Sequence, residues 1–165
     1  MSKRIITLGT WEGKPIEWLV LKEEGFATFC VSKIVLFTHC YNDDANKGND
    51  YAKSDIRKYL NSNFFKTTFS DVEKKKIINV KNTDSNTKDN IFLLSENEAE
   101  KLMTQNERIH AISIGCCLRT VSSHGSSYIW RIGRDGGFDD YGYYESYSYV
   151  QHSYGIRPAM WIKEK

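Results

Sequence analysis

Ile16-Glu17-Trp18-Leu19-Val20-Leu21, then Lys22-Glu23-Glu24-Gly25, then Phe26-Ala27-Thr28-Phe29-Cys30-Val31 is the stretch that decides the class of fold. Both arms are rich in aromatic and β-branched residues, which suit a pleated, half-buried surface. Glu23-Glu24-Gly25 separates them, so they read as a hairpin. Outward from it, Ser54-Asp55-Ile56-Arg57-Lys58-Tyr59-Leu60 opens with an N-cap residue and spaces Ile56, Tyr59 and Leu60 as one helical stripe. Ser70-Asp71-Val72-Glu73 and Ser95-Glu96-Asn97-Glu98 are capping boxes, and Ala99, Leu102 and Met103 continue the second as an apolar stripe. Asn79–Asp89 reads as a polar loop, Ile91-Phe92-Leu93-Leu94 as a buried strand and Ile156–Ile162 as a last strand. Short helices between strands at both ends give an α+β class with mixed antiparallel sheets and two or three short helices.

The 165 residues fit one domain, large enough to hide roughly 70% of the unfolded chain's surface. Hydrophobic residues at 40%, charged residues at 27% and only two prolines exclude a disordered or fibrous chain. Lys plus Arg is 23 against 21 acids, a net +2, which argues against a nucleic-acid partner. No 7–15-residue apolar leader core and no run of about 18 apolar residues is present, so neither export nor membrane insertion is expected. The predicted location is the cytoplasm, with a phage particle as the alternative. Four cysteines, Cys30, Cys40, Cys116 and Cys117, then read as free thiols. The adjacent pair lacks CxxC spacing and reads as buried strand residues rather than a zinc site.

Composition shifts near position 102. Lysine is absent from there to Lys163, and seven of the ten tyrosines fall between Tyr128 and Tyr154. Arg134-Asp135-Gly136-Gly137, between Tyr128-Ile129-Trp130-Arg131-Ile132 and Phe138, is a hairpin signal. From Asp139 to Tyr154 the apolar period disappears. The chain therefore divides into a scaffold (1–127), a displayed Tyr-rich segment (128–154) and a closing strand (155–162).

Four stretches resemble one family. Leu8-Gly9-Thr10-Trp11-Glu12-Gly13-Lys14-Pro15-Ile16-Glu17-Trp18-Leu19-Val20-Leu21 is similar to its opening, and Ser54–Asn61 to its S-D-(I/L)-R-x-(aromatic)-L-N helix. Ile91-Phe92-Leu93-Leu94-Ser95 with Glu98 and Gly155-Ile156-Arg157-Pro158-Ala159-Met160-Trp161-Ile162 are similar to its F-L-L-S-x-x-E and closing G-(V/F)-R-P-A motifs. It is a bacterial and phage domain of unknown function, related to the C-type-lectin-like and formylglycine-generating-enzyme fold. The chain departs at Cys116-Cys117-Leu118-Arg119-Thr120, where the family has W-W-L-R-S. The resemblance implies a C-type-lectin-like fold with its N- and C-terminal strands paired. Some proteins of that fold are varied by diversity-generating retroelements, and Tyr128–Tyr154, ending at Gly155-Ile156-Arg157, sits where the variable segment would be. Adenine mutagenesis of Asn codons cannot yield Trp130, Glu145 or Gln151, which are either fixed scaffold or evidence against such variation.

A Tyr/Ser/Gly/Asp surface is paratope chemistry: rigid rings give contact area and small polar residues adapt hydrogen bonds. The residues expected to bind are Tyr128, Arg131, Arg134, Asp139, Asp140, Tyr141, Tyr143, Tyr144, Tyr147, Tyr149 and His152. The bland alternative is a Tyr-rich strand pair packed on the scaffold. Catalysis has less to stand on, since His39, His110, His124 and His152 lie at neither metal nor triad spacing. A formylglycine-type oxidase needs two spaced cysteines near the C-terminus, and Cys116-Cys117 is too early and too tight. The tripeptides of calcium-dependent sugar binding are absent, and Asp135, Asp139 and Asp140 read as solvated loop carboxylates. Trp11, Trp18 and Trp161 read as core anchors, and Arg57, Arg119 and Arg157 as internal contacts. The expected role is non-catalytic recognition of a macromolecule, protein rather than carbohydrate, with no cofactor and no metal. The alternatives are a structural assembly module and an oxidase.

Overall fold

A computed structural model of the chain describes residues 1–140 and 152–164. The hairpin is there, as β2 (Lys14–Glu24) and β3 (Ala27–Ser32). Glu24 faces Ala27, so the loop is Gly25-Phe26, and the φ of 58° at Gly25 is the positive value that the first position of a II′ turn requires. Trp18 through Leu21 are all buried, because both faces of the strand are covered at this point.

β1 (Ile5–Trp11) pairs antiparallel with β2 around a Glu12-Gly13 turn whose two residues both have positive φ. The sheet is completed by β12 (Ala159–Lys163) beside β3 and by β5 (Ile77–Ile78) at the far edge, in the order β1-β2-β3-β12-β5. The expected pairing of the terminal strands is therefore corrected. β1 and β12 share one sheet, but β2 and β3 stand between them, because Ala159 to Lys163 register with Val31 to Ala27.

Helix starts follow the caps. Ser54 caps α1 (Asp55–Tyr59), which runs through a wider turn at Leu60–Phe64 into α2 (Phe65–Thr68). Both expected capping boxes form, at α3 (Asp71–Lys76) and α4 (Glu96–Leu102). Thr104 and Glu107 make a further box that starts α5 (Gln105–Arg108). The described residues thus hold more short helices than the two or three expected.

Three segments differ from their sequence reading. The polar loop 79–89 is a small hairpin of β6 (Val80–Asn82) and β7 (Thr87–Asp89), with Asn82, Thr87 and Asp89 turned inward. Ile91–Leu94 is fully buried yet joins no ladder beyond one bridge, Phe92 to Ala159. Phe92 and Leu94 bond to the backbones of Ala159 and Arg119, and side chains satisfy Ile91 and Leu93. The Asn61 carboxamide oxygen accepts from Ile91 N–H at 3.2 Å, and Tyr51 Oη accepts from Leu93 N–H at 3.2 Å. The closing strand breaks at Arg157-Pro158, so that β11 (Ser153–Ile156) belongs to a second sheet and β12 to the first.

That second sheet has the order β10-β9-β8-β11-β4, formed by β10 (Phe138–Asp139), β9 (Ile129–Ile132), β8 (Cys116–Val121), β11 and β4 (Phe37–Cys40). β8 and β11 run parallel and the other pairs antiparallel, a mixed sheet. One continuous core joins Trp18 of the first sheet and Ile129 and Tyr154 of the second with Tyr41, Phe64 and Phe92 between the strands. Trp18 is fully buried, while Trp11 and Trp161 are half-buried and stack on Phe37 (4.8 Å) and Phe29 (5.0 Å).

Candidate functional site

The expected binding residues take different places. Tyr141, Tyr143, Tyr144, Tyr147 and Tyr149 lie outside the described residues. Arg131 is 6% exposed and pairs with Asp139 at 2.7 Å while donating to the Ile114 carbonyl at 2.6 Å, so those two charges tie β9 to β10. Asp140 gathers the neighbouring loop. It accepts from Ser123 Oγ at 2.9 Å, takes Ser122 Oγ on its carbonyl at 2.7 Å, and lies 3.2 Å from His124 Nε2. Tyr128 is half-buried, with its carbonyl accepting from Asn49 Nδ2 at 2.8 Å, and Arg134 is exposed. His152 is half-buried beside the ring of the buried Tyr154.

The turn between β9 and β10, next to Arg131, Arg134 and Asp139, packs closely on α5. Gly136 has φ 81°, and a Cβ there would come within 2.5 Å of the Gln105 carbonyl oxygen. The turn lies that close to α5, and Arg108 Nε donates to the Gly136 carbonyl at 2.8 Å. β10 and β11 run parallel with β9 and β8 between them. Strand β10 ends at Asp139 and β11 begins at Ser153, so the two ends of the Tyr-rich stretch belong to one sheet.

A second feature escaped the sequence reading. A groove of about 670 Å³ lies between the segment Lys33–Thr38 and the segment Ile109–Ile112. Its walls are Val35, Leu36, Phe37 and Ile112, and the side chains at its rim, Ile34 and Ile109, are 65% and 53% exposed. Gly155 stands behind it: a Cβ there would meet Ile112 Cγ1 at 3.0 Å and Val35 Cγ1 at 3.2 Å. The signal was present as Ile34-Val35-Leu36-Phe37, four apolar residues outside any expected element. Its other wall lies some seventy residues away and no local pattern connects the two.

Of the ionisable groups lining the groove, Glu12, Lys33, His110 and Arg157, the last two are held by the backbone. His110 Nδ1 accepts from Ile112 N–H at 3.1 Å and Nε2 lies 2.9 Å from the Ile132 carbonyl, an arrangement that fits the neutral Nε2–H tautomer. Burial pulls its pKa below the usual value, with the Arg157 and Arg134 charges acting the same way. Arg157 is 7% exposed and donates to three carbonyls: Nε to Ser32 at 3.0 Å, Nη1 to Glu107 at 2.8 Å and Nη2 to Lys33 at 2.9 Å. Lys33 Nζ pairs with Glu17 at 2.8 Å. The cysteines are free thiols, and burial pushes Cys116 up to about 12 and Cys117 well above its usual value, so both are protonated at neutral pH. Among the described residues no His, Cys, Asp and Glu side chains cluster as a metal site would need, and no helix is long and apolar enough to cross a membrane.

Two sheets around one core, short capped helices and an apolar groove of ligand size define a mixed α+β domain. The chain belongs to a family known as Domain of unknown function (DUF6273), which matches it over residues 18–164. No curated protein and no solved structure matches it.

Proposed function

We propose that this domain is a non-catalytic recognition module that seats its ligand in the groove between Lys33–Thr38 and Ile109–Ile112. The Tyr/Ser/Gly/Asp-rich stretch 128–154 supplies a further contact surface for a macromolecular, protein ligand. One observation carries the reading: the groove exposes apolar side chains while its histidine and its arginine are tied to backbone atoms. His110 has both ring nitrogens engaged and Arg157 is fixed by three carbonyls, so neither is poised to take up or give a proton. Apolar walls with few polar groups and a volume within about 300–1,000 Å³ are the usual make-up of a ligand site. The kinship with C-type-lectin-like and retroelement-varied proteins belongs to the same proposal. It is supported by the closing strand's place beside the N-terminal hairpin and by a Tyr-rich stretch that ends at Gly155-Ile156-Arg157.

Nile red, a neutral apolar dye, tests the groove. Its emission should rise and shift to the blue with the wild-type chain. Ile109→Asp, which places a charge in the apolar rim, should weaken that binding at least tenfold. The melting temperature should hardly move, because exposed substitutions change stability by about 0.5 kcal/mol or less. Equal dye binding by a folded Ile109→Asp protein would overturn the proposal.

A further inference from the structure

We infer that the groove takes a single-chain aliphatic anion, of the chemical class of a medium-chain fatty acid, with its carboxylate on Arg157 and its chain along the apolar walls. The inference rests on the reading of the groove as a ligand site and goes on to name the ligand.

The first argument is the contrast among the buried arginines. Arg119 forms two hydrogen bonds to Glu98, at 2.7 and 2.8 Å, and Arg131 pairs with Asp139 at 2.7 Å. Arg157 is equally buried, yet among the described residues no carboxylate lies within 4.0 Å of it. A buried charge is costly unless it is paired. A guanidinium carries five N–H groups in a planar fork. The three carbonyls account for one each on Nε, Nη1 and Nη2, which leaves one on each terminal nitrogen among the described residues. Arg157 also lines the groove, and a guanidinium with N–H groups to spare suits a carboxylate.

The second argument concerns the body of the ligand. A peptide lying in the groove would need donors for its carbonyls. Five backbone N–H groups of the lining are already given away: Lys33 to the Glu17 carbonyl (2.9 Å), Leu36 to Ile156 (3.0 Å), Ile109 to Gln105 (3.2 Å), His110 to Arg134 (3.4 Å) and Ile112 to His110 Nδ1 (3.1 Å). The walls offer mostly hydrocarbon, from Val35, Leu36, Phe37, Ile109 and Ile112, with the charged Glu12 and Lys33 also in the lining. A body without polar groups matches that surface.

Calorimetric titration of the full chain with octanoate, octanol and octyltrimethylammonium separates the contributions, since the three share a chain and differ in head charge. Octanoate should bind one site at least tenfold more tightly than octanol, and the cation more weakly than octanol. Ile109→Glu should weaken octanoate at least tenfold with an unchanged melt. Arg157→Lys should bring octanoate to within about threefold of octanol. Should Arg157→Lys not fold, the wild-type series and Ile109→Glu decide the matter. Equal binding of octanoate and octanol would overturn the anion while leaving the groove as a ligand site. Binding by none of the three would overturn both readings. Octanoate binding untouched by Ile109→Glu would place the anion elsewhere and overturn the inference.

Discussion

Trp18→Ala lowers the free energy of unfolding by about 3–5 kcal/mol, the cost of deleting a fully buried large aromatic. Trp18 is fully buried at the centre of the first sheet, with its ring 6.2 Å from Phe69. Its indole Nε1 donates to the Leu8 carbonyl at 2.8 Å. That bond fixes β1 where its register with β2 shifts between Thr7 and Thr10. The substitution thus opens a cavity and also leaves a carbonyl without its donor. Trp18→Phe keeps most of the volume and should cost less than half as much. Urea midpoints read both, and a wild-type midpoint for Trp18→Ala would show that the ring is not a core residue.

Arg119→Ala has the next largest expected effect, about 3 kcal/mol. Arg119 is 4% exposed and lies over the Phe92 ring, donating twice to Glu98 and once to the Leu93 carbonyl at 2.7 Å. Glu98 in turn closes the capping box of α4 by accepting from Ser95 N–H at 2.9 Å. Removing the guanidinium leaves a carboxylate facing an emptied site, and losing one partner of such a pair is the expensive way to break it. The double variant Arg119→Ala/Glu98→Ala should cost less than the sum of its parts by about 1 kcal/mol or more. Simple additivity would mean that the two side chains act independently.

How much could be read from the sequence follows from which interactions are local. Ser54, Ser70 and Ser95 announce helix starts because the capping bond spans only three residues, and each of these bonds forms. Thr104-Gln105-Asn106-Glu107 carries the same signal and could have been found in the same way. Asp135-Gly136 marks its hairpin because the turn needs positive φ there. Ile91–Leu94 misleads because an apolar run reports burial and not hydrogen bonding. Its partners are distant in sequence: the side chains of Asn61 and Tyr51, some thirty to forty residues earlier, and Arg119 and Ala159 later in the chain. The hairpin at 80–89 was missed because its inward residues are polar, so hydrophobic alternation could not reveal it.

The candidate site was less legible than the fold. Arg131 and Asp139 look like surface charges in a polar stretch, and their mutual pairing depends on how β9 and β10 register. Arg157 was expected to make internal contacts and does so, with three carbonyls. The groove it lines is assembled from segments distant in sequence, Lys33–Thr38 and Ile109–Ile112, brought together as the second sheet places β4 and β8 on either side of β11. Such a site has no spacing to recognise.

The most direct test of the groove as a ligand site is methyl-resolved NMR of the full chain titrated with octanoate and, in parallel, octanol. The methyl signals of Val35, Leu36, Ile109 and Ile112 should move together along a single isotherm with each compound. Those of Ile5 and Val72, exposed side chains that do not line the groove, should stay in place. Shifts centred on Ile5 or Val72, or no shift at the groove methyls with either compound, would contradict the account.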